Sequence, residues 1–231
     1  MEMHTRVKVK KMYSVFLAIS FSLGLSACIN NIETVSTDFF VFELNYKAKH
    51  ATLTKLTELG KEQEILVFPT VIEDYPVKYI GKSPKLPLLG EGMGALALTD
   101  VQKKVYLPSS LGDRAWLTGT SEREFILLVA HPSNELIESI NRFSEAHLYY
   151  LDDLTKLNTF FMFNFDSSEN EGYYWMDYTN GMNPYIIPAD PVREGYVFGG
   201  WYYEKECTNL WDNQFPISEN DTVTLFAKWI D

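Results

Sequence analysis

Two cysteines, four histidines and a scatter of carboxylates are the residues of this 231-residue chain best suited to chemistry. Metal binding needs His, Cys or carboxylate ligands at short, regular spacing, and His50, His131 and His147 have neither a second His nor a carboxylate so placed. The glycines of "LGEGMGAL" (89–96) do not follow the G-x-G-x-x-G spacing that cradles a dinucleotide phosphate. No G-x-S-x-G elbow exists, so the serines of "PSS" (108–110) read as a turn rather than a nucleophile. "DSSENEG" (166–172) and "SEND" (218–221) are acidic, but neither follows the spaced calcium loop, and both read as solvated turns. The expectation is a protein without catalytic residues, metal or cofactor.

The thiols say more. Arg6, Lys8, Lys10 and Lys11 precede the apolar run "MYSVFLAISFSLGL" (12–25), which closes on "LSAC" ending at Cys28. A basic stretch, a short apolar stretch and small residues make a secretory signal, and the run is short for a membrane span. Cys directly after Leu-Ser-Ala resembles a bacterial lipobox. That resemblance implies cleavage after Ala27, a signal peptide of residues 1–27, and diacylation of Cys28 with fatty acids such as palmitate. An ordinary signal peptide with a chance Cys, or an uncleaved anchor, fits the same order. With Cys28 lipidated, Cys207 has no disulfide partner and reads as a small buried hydrophobe.

Charge narrows the partners. The formal net charge of −11 opposes nucleic-acid binding, which needs clustered Lys and Arg. Loss of residues 1–27 removes four basic residues and Glu2, taking it to −14. Membrane attachment therefore rests on acyl chains at Cys28, not on basic patches.

The elements that must position any site come next. Residues 29–38 are polar and aperiodic, and with Cys28 they read as a tether (28–38). From 39 to 155 short apolar runs alternate with turn residues: "FFVFELNYKAKHATLTKL" as a hairpin, then "EILVFP", "YPVKYIG", "KKVYLPSSL", "EFILLVAHP" and "EAHLYYL" as strands, with "NELIESINRF" helical. Thr52, Leu53 and Thr54, then Val67, Phe68 and Pro69, then Tyr75, Pro76, Val77, Ile80 and Gly81 resemble the opening coil of BspA-like leucine-rich repeat proteins; "VYLPSSL" (105–111) resembles a later coil. The resemblance implies a short, irregular solenoid. The alternative is an unrelated α+β domain with one similar hairpin.

Residues 159–231 form a second block, with strands expected at "TFFMFNF", "YYWMDY", "YVFGGWYY" and "TVTLFAKW" and a turn at Asn180-Gly181. Pro191, Arg193, Glu194, Gly195, Tyr196, Phe198, Gly200, Trp201, Tyr202, Cys207, Thr208, Trp211, Asp212, Pro216, Leu225, Ala227, Lys228 and Trp229 follow the order of the Listeria–Bacteroides, or internalin B-type, repeat. That resemblance implies a β-grasp-like module, present here in one copy. So small a module needs dense apolar packing, which assigns Tyr196, Phe198, Trp201, Trp211 and Trp229 to its core. Tyr173, Tyr174 and Trp175 lie outside the motif, free to be exposed, and are the expected ligand-binding residues.

Together these readings describe a mainly β (α+β) bacterial surface lipoprotein, anchored to a membrane through Cys28 and extracytoplasmic. The two resemblances imply a non-catalytic adhesion module for a host, matrix or envelope protein or glycan. A structural spacer of the envelope is the alternative. A glycan-active enzyme, which would need a carboxylate pair in a cleft, is a more distant one.

Overall fold

A computed structural model describes residues 31–82, 94–119, 121–141, 146–151, 157–167, 169–216, 218 and 220–231. The lipobox and Cys28 lie outside the described residues, as does most of the glycine-rich 89–96 stretch. The fold is mainly β, as expected.

Strand β1 (Ile32–Ser36) pairs antiparallel with β2 (Phe40–Asn45), which forms a hairpin with β3 (His50–Leu56). The hairpin was legible because Phe40, Phe42 and Leu44 alternate inward, facing Ala51, Leu53 and Leu56 in the core. β1 was not. Residues read as tether form an edge strand held by main-chain bonds to β2, and its mostly exposed side chains leave no apolar period to detect.

After β3 comes α1 (Glu58–Lys61), capped by the Thr57 hydroxyl accepting from the Gly60 N–H. Then follow β4 (Ile65–Val67), β5 (Val71–Ile72), β6 (Tyr75–Ile80), β7 (Leu96–Ala97), β8 (Lys104–Leu107), β9 (Leu117–Thr118) and β10 (Arg123–Leu127). Helix α2 (Asn134–Asn141) buries Leu136, Ser139 and Ile140, and β11 (Ala146–Tyr149) follows it. Strands β4, β8, β10 and β11 lie side by side in chain order, every neighbour parallel. Shorter parallel pairings, β3 with β6, β7 with β9, and a bridge from Ile80 to Ala115, form the opposite wall.

The last block is a four-stranded mixed sheet. Strands β12 (Thr159–Met162) and β15 (Val223–Ile230) run parallel at its centre, flanked by β13 (Tyr173–Asp177) and β14 (Val197–Tyr202) as antiparallel edges. Leu225 and Ala227 face inward, as their alternation in "TLFAKW" requires.

The parallel sheet has cores on both faces. Val105, Leu107, Phe125 and Leu127 point into the first core; Tyr106, Ile126 and Leu128 point the other way, into the core of the C-terminal sheet. This two-sided burial is why "EFILLVA" reads as a continuous apolar run rather than an alternating one.

Candidate functional site

The dense rings of the C-terminal block mostly close on one another. Phe161, fully buried, meets Trp201 at 4.9 Å and Trp211 at 5.5 Å between ring centroids, both edge-on. Trp211 also meets Phe215 at 5.1 Å, and its indole N–H donates to the Gln214 carbonyl at 3.0 Å. Trp229 and Phe198 are half-buried, and the Trp229 N–H donates to the Phe163 carbonyl at 2.6 Å. Tyr196 departs from expectation: it is exposed, covered on one face by the Arg193 guanidinium 3.8 Å from its ring. Arg193 also lies 4.5 Å from the Phe165 ring, so this Tyr holds a cation against the module rather than filling its core.

The expected ligand residues are less accessible than their place outside the motif suggested. Trp175 is only 7% exposed and lies against Tyr106 with ring centroids 4.5 Å apart. Tyr174 stacks on Trp201, its hydroxyl donates to the Ala189 carbonyl, and burial pushes its pKa up to about 12. Tyr173 is half-buried beside Phe160. Strand β13, an edge of its own sheet, also meets the parallel sheet through Trp175 and Asp177, and the motif could not show that second neighbour. Cys207 is half-buried rather than buried; its Sγ accepts from Asn164, and desolvation raises the thiol's pKa.

Beneath these rings sits a polar cluster that sequence reading missed. Lys104, on β8, and Asp177, on β13, are both wholly inaccessible, with Nζ 2.6 Å from Oδ1. The same Nζ donates to the carbonyls of Tyr178 at 2.9 Å and Pro184 at 3.1 Å, and lies 3.5 Å from Glu124. The Tyr106 hydroxyl donates to Asp177 Oδ2 at 2.7 Å, and the Tyr178 N–H donates to Oδ1 at 2.7 Å. Asn183 donates to the Glu124 carboxylate at 3.0 Å and to the Tyr178 carbonyl at 2.8 Å. Burial raises the Asp177 pKa against the pull of Lys104 and Tyr106, and burial followed by the Asp177 charge raises that of Tyr106 well above its usual value. The signal was present: Lys104 begins an otherwise apolar strand, and Asp177 ends an aromatic one.

An accessible concavity lies elsewhere among the described residues. A groove of about 690 Å³ is lined by Thr52, Tyr79, Gly81, Lys82, Asp113, Arg114, Trp116 and Glu135. Gly81, at φ +66°, lets the chain turn where a Cβ would strike the Trp116 carbonyl oxygen. Tyr79 is 42% exposed and meets His50 edge-on, while Lys82 reaches Glu43 at 2.6 Å. The groove thus sets the rings of Tyr79 and Trp116 among cationic (Lys82, Arg114) and anionic (Asp113, Glu135) side chains, a surface for polar ligands with apolar faces. His131 pairs with Glu171 and His147 with Glu122, both exposed; no cluster of three or more His, Cys, Asp or Glu suited to a metal occurs among the described residues.

These features define a mainly β chain whose C-terminal sheet carries a closed aromatic core. Residues 161–228 form a Listeria-Bacteroides repeat domain. One similar curated protein is a "Putative membrane protein" of Evansella cellulosilytica, 44% identical over 43 residues, which is 18% of this chain. The match spans 6% of that relative's length. No solved structure matches the chain.

Proposed function

We propose that this chain is a non-catalytic binding module of the bacterial cell surface, held at a membrane by lipid on Cys28. Residues 39–155 act as a degenerate leucine-rich-repeat-like solenoid and 159–231 as one β-grasp-like repeat. The repeat domain supports an envelope location, and so does the similar protein described as a membrane protein. The in-order parallel strands β4, β8, β10 and β11 favour the solenoid reading over an unrelated α+β domain. The observation that carries the binding reading is the groove between Tyr79 and Trp116, which takes the ligand role from the buried Trp175. Its aromatic and mixed-charge lining suits a glycan or a polar peptide segment of a host, matrix or envelope partner.

A glycan and matrix-protein array probed with residues 29–231 tests this. The expected result is a retained ligand that is lost on Tyr79→Ala combined with Arg114→Ala, with the unfolding midpoint unchanged. An array on which nothing binds, with cross-linking to envelope neighbours instead, would favour the spacer. Hydrolysis of a bound glycan, lost in Asp113→Asn or Glu135→Gln, would favour the enzyme. Cys28→Ala is expected to abolish palmitate labelling and membrane retention; persistence of both refutes lipidation.

A further inference from the structure

We propose that Lys104 and Asp177 become joined by a side-chain amide, formed spontaneously in the folded protein between β8 and β13. Amine and carboxyl stand 2.6 Å apart with no solvent access to either side chain, and the Glu124 carboxylate lies 3.5 Å from the same nitrogen. Tyr106, Trp175 and Tyr178 are buried about the pair in one apolar cluster, so little water can compete for it. Carboxyl and amine do not condense appreciably in water. Fixed together in a dry site they do so far more readily, because orientation is prepaid and effective concentrations reach ~10⁵–10⁸ M. Desolvation disfavours both charges, and condensation removes both at once.

The groups needed for each step are in place. One proton passes from Nζ to Asp177 Oδ1 across the 2.6 Å contact, leaving a neutral amine and a neutral acid. The carbonyls of Tyr178 and Pro184 hold the nitrogen in position while its lone pair attacks Cγ of Asp177. As the N–Cγ bond forms, charge gathers on Oδ2, where the Tyr106 hydroxyl donates. Glu124, oriented by Asn183, takes the second proton from nitrogen and passes it to the departing Oδ1 hydroxyl. The Cγ–Oδ1 bond breaks and water leaves. The ammonium and carboxylate become one neutral amide and one water, with no oxidant, cofactor or external reagent. The remaining N–H can keep one of the two carbonyls as its acceptor.

The competing state is a permanent ion pair, its ammonium satisfied by the same carbonyls. Mass spectrometry of protease digests of the full chain, purified and then denatured, separates the two. The expected result is a peptide joining the Lys104 and Asp177 segments, lighter than their sum by one water, in nearly every molecule. The joined peptide should be absent from Asp177→Ala and strongly reduced in Glu124→Gln. It should return in Asp177→Asn with ammonia as the leaving group, a rescue that a purely structural carboxylate would not show. Recovery of two separate peptides from the folded wild-type chain overturns the proposal, whether or not Asp177→Ala folds. Ligand binding at the groove would be untouched by that outcome.

Discussion

Replacing Lys104 by Met is the most informative single perturbation of this fold. The substitution keeps an unbranched apolar stem while removing the nitrogen from a site where Asp177 stays wholly buried. Asp177 keeps only the Tyr106 hydroxyl and the Tyr178 N–H, and the carbonyls of Tyr178 and Pro184 lose the donor that Nζ supplied. Whether the two side chains stand as an ion pair or as the proposed amide, losing Lys104 leaves the Asp177 carboxyl buried and uncompensated, which costs about 3–5 kcal/mol. The sign of its pH dependence follows from the carboxyl. Burial already raises the Asp177 pKa, and removing Lys104 removes the largest influence that lowers it. A folded-state pKa above the unfolded value of about 3.9 leaves stability intact below that value, and stability falls as pH rises toward the folded pKa. Lys104→Met should therefore lose least stability near pH 4 and most near pH 7, by up to about 1.4 kcal/mol per pH unit in between. Urea denaturation followed by tryptophan fluorescence measures the loss, and the signal includes Trp175, which lies against Tyr106 at the junction. A loss below about 1 kcal/mol, equal at both pH values, would refute the reasoning, since that is the scale of an exposed pair.

Trp211→Ala removes a buried ring that contacts Phe161 and Phe215, and should cost about 3–5 kcal/mol in chemical denaturation. Tyr196→Ala, by contrast, should cost no more than about 1 kcal/mol, because that ring is exposed and only supports Arg193. Gly81→Ala places a Cβ at positive φ and against the Trp116 carbonyl, so it should lower the melting temperature and distort the groove together. In an absorbance titration of the folded chain, Tyr174 should resist ionisation until about pH 12, and Tyr174→Phe should shrink by one tyrosine the late component it shares with Tyr46 and Tyr106.

Much of the fold was legible because its signals were local. Phe40, Phe42 and Leu44 alternate within six residues, and the ordered motif from Pro191 to Trp229 identified the repeat domain through its spacing. What was not legible depended on partners distant in the chain. β1 gives no apolar period because backbone pairing with β2 holds it. Trp175 read as free because the motif describes one sheet, whereas Tyr106, which covers it, comes from 69 positions earlier on β8. The groove draws its walls from Thr52, Tyr79, Arg114 and Glu135, residues that no spacing rule would collect.

The same long-range contacts bear on how the repeat domain is used here. A sheet of four strands in a block of about seventy residues encloses a thin core, and domains of that size are marginal without reinforcement. In this chain the reinforcement is the parallel sheet. β8 and β10 turn Tyr106 and Ile126, with Leu128 just beyond β10, into the core of the repeat, and Lys104 adds a polar connection among them. Conversely, the parallel sheet would expose those side chains to water if the repeat were removed. Each block thus supplies a face that the other needs, and the two should unfold in one transition rather than two. Within such an arrangement the aromatic repeat serves as the buttress of the groove-bearing block. On the proposed binding reading, its most conspicuous rings would contribute through rigidity and not through contact.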